Sequence, residues 1–252
     1  MTTDPVLSGV APLRLILLAA ILSLLSTPVH AAEEPYPPDE GTVEDQLGTW
    51  IGGQSTLRLT DRLSGFVQGE VRTWKFFHEL NETLFRVAGS YKIAPFAWGA
   101  MGYVRVDTWP VDAETRYQEE NRFYQEFGLK HAWTRVGFKH RVRLEQRWFQ
   151  RRSGDAYANR VRYKFQIKAP LNRSQIEKGA FVASLTEEVF IHFASGLDPF
   201  DQNRLTGAIG YQISSGTSLT LGLLWQVRRD VDFLRLQFTL NYDADLRRLF
   251  GG

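Results

Sequence analysis

At 252 residues the chain has room for one large all-β domain or two small ones, and its 43% apolar and 23% charged residues match the average of a water-soluble protein. Such an average does not exclude a membrane β-barrel, in which a lipid-facing side and a polar lumen cancel. The absence of cysteine excludes a disulfide framework, a thiolate metal site, a cysteine nucleophile and a lipid-anchored cysteine, while the net charge of +2 conceals an uneven distribution.

The N-terminus reads as an export signal. Arg14 precedes the apolar run Leu15–Leu25, and Val29-His30-Ala31 has the small-x-small pattern of a cleavage site, giving a signal peptide over 1–31. The run is shorter than the ~20 residues a membrane helix needs. Residues 32–46 form an acidic, proline-rich arm, whose composition suits a linker or an unpaired segment. The barrel is expected over 47–242, with a tail over 243–252.

Period-2 alternation then repeats along the chain, as a strand between two different environments requires. A first strand spans Leu47–Leu59, a second Leu63–Phe76, and a polar loop His78–Glu82 is expected before a third, Thr83–Ile93. A fourth, Phe96–Thr108, follows a tight turn and is read with Phe96, Trp98, Val104 and Val106 on one face, and Tyr103, Arg105 and Asp107 on the other. An acidic loop, Trp109–Glu120, leads into three two-faced strands between Asn121 and Lys168. The last of these opposes Val161, Tyr163, Phe165 and Ile167 to Arg160, Arg162, Lys164, Gln166 and Lys168. Four more strands are expected, at Phe181–Phe193, Asn203–Ile213, about 217–227 and about 233–242.

Short and longer connections alternate, and 17 Phe, 9 Tyr and 7 Trp are many for this length. Both features fit an antiparallel transmembrane β-barrel of about 10–12 strands, with short periplasmic turns and aromatic girdles. A soluble periplasmic β protein, with its basic face in water, is the competing architecture.

The segments Asn121-Arg122-Phe123-Tyr124, Arg141-Val142-Arg143-Leu144-Glu145-Gln146-Arg147, Arg160-Val161-Arg162-Tyr163, Glu187-Glu188-Val189-Phe190 and Gln202-Asn203-Arg204-Leu205 resemble a widespread bacterial family. It is catalogued only as a domain of unknown function and regarded as an outer-membrane β-barrel. The resemblance covers about Trp50 to Tyr242 and implies fold and location rather than an activity. One departure is that ten residues follow Tyr242, where family members tend to stop.

With charged faces inward, the lumen is expected to hold Arg72, Arg86, Arg105, Arg122, Lys139, Arg141, Arg143, Arg147, Arg160, Arg162, Lys164, Arg204 and Arg235. Against these stand five acids: Glu70, Asp107, Glu126, Glu145 and Glu188. So many like charges need partners or a bound anion. An anion-lined passage and a cross-braced, closed interior both satisfy that need, and the acidic arm is a third source of counter-charge. Eleven strands are an odd number where bacterial single-chain barrels usually have an even one, so either a further strand is present or the acidic arm crosses through the lumen. A Ser195–His192–Glu188 arrangement is the nearest approach to a hydrolase, and it matches no recognised signature, so no enzyme is expected beyond the outside option of lipid modification. No cofactor, metal or nucleic acid is expected. The expected surroundings are outer-membrane lipid, with periplasmic chaperones and the barrel-assembly machinery as partners in biogenesis.

Overall fold

The computed structural model describes residues 47–110, 117–151, 154–193, 196–229 and 231–249. The expected signal peptide, the acidic arm and Ser195 lie outside the described residues. Eleven strands follow one another: β1 (Gly48–Arg58), β2 (Leu63–Lys75), β3 (His78–Ala94), β4 (Ala97–Thr108), β5 (Gln118–Trp133), β6 (Val136–Arg151), β7 (Ala156–Pro170), β8 (Phe181–Phe193), β9 (Phe200–Gln212), β10 (Thr217–Val227) and β11 (Asp232–Asp245). Each pairs antiparallel with its neighbours in sequence, and the sheet closes where β1 meets β11. That last seam is parallel, running from Gly48↔Arg235 to Arg58↔Asp245. An odd number of alternating strands leaves no other way to close.

The register fixes the size. A row of paired residues that leaves β5 at Ala132 passes Lys168, Ala208, Trp50 and Glu82 and returns to β5 at Gln118, fourteen residues away. With standard strand spacings, that shear on eleven strands gives a tilt of about 42° and a radius of about 11 Å. Gly48 lies at one rim, called here the N-terminal end, with the connections after β2, β4, β6, β8 and β10. Asp245 lies at the other, the C-terminal end. The ten-residue connection 171–180 is the longest at that end.

The exterior is apolar. Leu219, Leu221, Leu223 and Trp225 on β10 stand 47–50% exposed, and Leu234, Leu240 and Tyr242 on β11 do likewise at 42–52%. Aromatic side chains gather towards both rims. Phe123, Trp148 and Tyr157 form a run with centroids 5.9 and 5.2 Å apart near the N-terminal end. Phe181 and Tyr211 pair at 5.0 Å near the other, where Trp133 projects with 75% exposure.

Two elements differ from the sequence expectation. His78–Glu82 is not a loop but the start of β3, because Phe76-Phe77 alone makes the turn. Phe77 and Glu79 take positive φ of 52° and 59°, and the ladder shifts register between Arg72 and Thr73, which lets a two-residue connection close. Strand β4 faces the other way from its expected orientation. Val104 pairs with the inward Arg86 and Arg122, and Val106 with Leu84 and Glu120, so both valines point inward and pack with Leu84 and Tyr124. Arg105 and Asp107 therefore lie on the exterior. A one-residue slip in parity exchanges every side chain between faces, and β4 alternates valine with charge so evenly that composition alone does not select the face.

The parallel seam makes a direct prediction in a chain with no native cysteine. Ser55 and Tyr242 are paired on the exterior, so S55C/Y242C should form a disulfide under mild oxidation, detected as loss of free thiols. The pair S55C/L236C, offset by about 20 Å along the strand, should stay reduced. The reverse pattern would rule out this closure.

Candidate functional site: the lumen

The lumen has two storeys. In the half towards the N-terminal end, the inward side chains are interlocked ion pairs. Glu120 accepts from Arg147 Nε at 2.6 Å and from Arg122 Nη2 at 2.6 Å. Glu145 accepts from Arg160 Nε and Nη2 at 2.7 and 2.5 Å, and the remaining Arg160 Nη1 reaches Asp201 at 2.5 Å. Arg72 bridges Glu70, at 2.6 Å, and Glu82. Arg143, Glu145, Arg147 and Arg160 are only 1–2% exposed. Trp74, Phe149, Phe190 and Phe233, each 1% exposed, fill the space between them, with guanidinium groups stacked on their rings: Arg147 on Phe149 at 4.7 Å, Arg235 on Phe233 at 4.4 Å. Stacked and bidentate arginines satisfy charge and shape together.

Asp201 enters this layer through a β-bulge. Phe190 pairs with Gln202 and Ile191 with Phe200, so Asp201 is the extra residue, and it and Gln202 are both buried. His192 lies beside it, with Nε2 3.7 Å from Asp201 and 3.4 Å from Arg147 Nη1. Glu188, four residues earlier on the same face, is taken up by Arg162 at 2.5 Å and Arg141 at 3.0 Å, with Phe190 between it and His192. It is not positioned to orient His192 as a catalytic base would require.

The other half is open. A cavity of about 1050 Å³ is lined there by Arg58, Lys92, Lys130 and Asn241 and reaches Glu120, Arg147 and Thr108 in the ion-paired half. Its two sides differ. Strands β3 and β5–β7 present Arg86, Lys92, Lys130, Lys139, Arg141, Lys164 and Lys168, whereas β8–β11, β1 and β2 present mostly neutral polar groups, Ser184, Thr206, Thr220, Thr239, Asn241, Gln54 and Gln68, with Arg58 and Asp243 at the mouth and Glu188 at the floor. Lys130 and Lys139 sit directly opposite each other. Among the described residues no carboxylate lies within ion-pair distance of Lys92, Lys130, Lys139 or Lys168. Lys139 rests on the Trp98 ring at 4.5 Å, and Trp98 in turn covers Gly128, where a Cβ would fall 1.9 Å from the indole.

Of the residues expected in the lumen, the structure brings Arg72, Arg122, Arg147, Arg160, Arg204 and Arg235 into the ion-paired half, with Glu70 and Glu145, and sets Arg86 and Arg143 at its boundary with the cavity. It places Lys139, Arg141, Arg162 and Lys164, with Glu126 and Glu188, around the floor and wall of the cavity. Arg105 and Asp107 are corrected to the exterior, where they bond to each other at 2.8 Å, and Arg105 also reaches Glu119 and Asn121. Four inward acids escaped the sequence reading: Glu82, Glu120, Asp201 and, at the mouth of the cavity, Asp243. The first two share the parity of Arg86 and Arg122 and would have followed from extending those strands backwards; the bulge gives Asp201 no such signal. Among the described residues no three His, Asp or Glu side chains converge as metal donors.

Comparison with known proteins gives one match. The family described as "Protein of unknown function (DUF2490)" covers residues 47–235, nearly the whole barrel. No curated protein and no solved structure matches the chain.

Removing one partner from this layer leaves a buried, uncompensated charge, which costs about 3–5 kcal/mol. E145Q should lower stability to urea by that amount in the detergent-refolded protein, followed by tryptophan fluorescence. E145Q/R160M should lose less than the sum of the two single variants, because Glu145 and Arg160 are direct partners. Simple additivity would show that the pair is not coupled.

Proposed function

We propose that this chain, which belongs to the DUF2490 family of proteins of unknown function, is an outer-membrane β-barrel that admits small anions into a one-ended, basic vestibule. The observation that carries the reading is its inverted polarity: arginine and glutamate are 1–2% exposed inside, while leucine and tryptophan are 40–50% exposed outside. A water-soluble monomer rarely exposes apolar patches beyond a few hundred Å², and a barrel wall of this kind finds its complement in lipid. Aromatic clusters near both rims and strands of 11–17 residues support the same placement. No helix among the described residues is long and apolar enough to cross a membrane, which leaves crossing by strands untouched. Export through residues 1–31 and insertion by the barrel-assembly machinery belong to this proposal.

The unpaired lysines give the vestibule its sign. Rings of cationic side chains favour anions, and the ion-paired layer restricts onward flow. In planar bilayers the protein should therefore show small conductance for its diameter, with anions preferred over cations. K139E/K168E should reduce or reverse that preference without altering heat-modifiable gel mobility. Cation preference in the unaltered protein, or its recovery in a soluble periplasmic fraction, would overturn the reading. Large, steady conductance would favour a through channel for anions over a one-ended vestibule.

A further inference from the structure

At the floor of the cavity, cations outnumber the acids that serve them. Arg86, Arg141, Arg143, Arg162 and Lys164 converge on two carboxylates: Glu126, held by Arg143 at 2.7 Å, and Glu188, shared by Arg162, Arg141 and Lys164. Glu145, just below, gives Oε2 to Arg160, while its Oε1 stays 3.6 and 4.0 Å from Arg143 and Arg162, beyond hydrogen-bond reach of either. The shortfall appears as orphaned donors: the Nε atoms of Arg86, Arg141 and Arg162 and Nη1 of Arg143 are buried without a hydrogen-bond partner. Arg143 is itself 2% exposed. Arg86 lines the cavity, has no carboxylate within ion-pair distance among the described residues, and has the Tyr124 ring 6.0 Å from its guanidinium. Leaving charged donors unpaired costs more than leaving neutral ones, so the floor is built for an acceptor with several oxygens, and a guanidinium fork matches phosphate.

The opposite wall supplies a second chemistry. Asn241 donates to Ser218 and Thr220 at 3.3 Å each and accepts from Gln54 at 2.6 Å, making an ordered array of hydroxyls and amides. Inorganic phosphate would leave most of the 1050 Å³ unfilled. We propose that the cavity binds a phosphorylated sugar or polyol, its phosphate at the floor on Arg86, Arg141 and Lys164, and its hydroxyls on Asn241, Thr220 and Thr239. This rests on the vestibule reading and assigns its ligand class. Every seam of the barrel is hydrogen-bonded, so a headgroup still attached to its acyl chains has no lateral way in, and the ligand is a free solute.

The test uses the full mature chain refolded in detergent, titrated with glucose 6-phosphate, inorganic phosphate and glucose while tryptophan fluorescence is read, Trp98 lying in the wall. Glucose 6-phosphate should bind at least about tenfold tighter than phosphate, and glucose should not bind measurably. R86Q should weaken both anions about tenfold, as loss of a charge-assisted hydrogen bond predicts. T220V should weaken glucose 6-phosphate and spare phosphate, and as a near-isosteric rim variant it remains informative should R86Q fail to refold. Equal affinities for phosphate and glucose 6-phosphate, or indifference to T220V, would overturn the sugar-phosphate assignment and leave the anionic vestibule standing. No binding of either anion, with anion preference retained in bilayers, would overturn the floor site. Loss of both would sink the vestibule itself.

Discussion

Eleven alternating strands can close only by pairing the first with the last in parallel, and the rest of the molecule is arranged around that seam. It sends the two chain ends to opposite rims. Gly48 starts at the rim where the interior is filled by ion pairs, and Asp245 ends where it is open. Gly48 itself packs against Thr73, Trp74 and Arg235 at that filled rim.

The two storeys follow from where water reaches. Two unit charges 4 Å apart interact by about 1 kcal/mol in water and about 4 kcal/mol at the effective dielectric of a partly dry protein site. In the wide half, Lys130 and Lys139 can face each other at the lower cost, one of them also stacked on Trp98. In the narrow half such a juxtaposition would be several times more expensive, and there arginines are matched by acids, Arg147 and Arg122 by Glu120, Arg160 by Glu145 and Asp201, Arg72 by Glu70 and Glu82, while Arg204 and Arg235 stack on aromatic rings. The floor of the cavity lies between these regimes. It is dry enough for orphaned guanidinium donors to matter and open enough for a solute to reach them.

Much of this was legible in the sequence, and the exceptions have particular causes. On β5–β7 one face is almost wholly aromatic or aliphatic and the other charged, so Arg141, Arg143, Arg160 and Arg162 could be placed inside from the pleat alone. On β4 the alternation is equally strict, but valine and arginine compete for the interior, and only the pairing of Val104 with Arg86 and Arg122 decides. The start of β3 was obscured by polar residues that elsewhere mark loops; here Glu82 is polar because it is the partner of Arg72. The imbalance of charge was overestimated for the same reason, since Glu82, Glu120 and Asp201 sit at strand ends where composition resembles a turn. Which cations stay unpaired is a matter of three-dimensional neighbours, and no period in the sequence carries it.

Asp201 shows how closely the narrow half is balanced. On a regular β9, with Gln202 and Arg204 inward, Asp201 would face outward into the apolar band. Arg160 would then lose that carboxylate, and Arg147, already sharing Glu120 with Arg122, would face Arg160 and His192 without Asp201 between them. The bulge sacrifices one ladder position, worth about 1 kcal/mol as a net hydrogen bond. In return it takes a charged group off the apolar exterior and supplies the missing acid within 2.5 Å of Arg160. The exchange favours the bulge on both counts. Because the bulge sits at the very start of β9, it restores the inward parity of Gln202, Arg204 and Thr206 for the rest of the strand, and with it the polar wall that faces the basic side of the cavity.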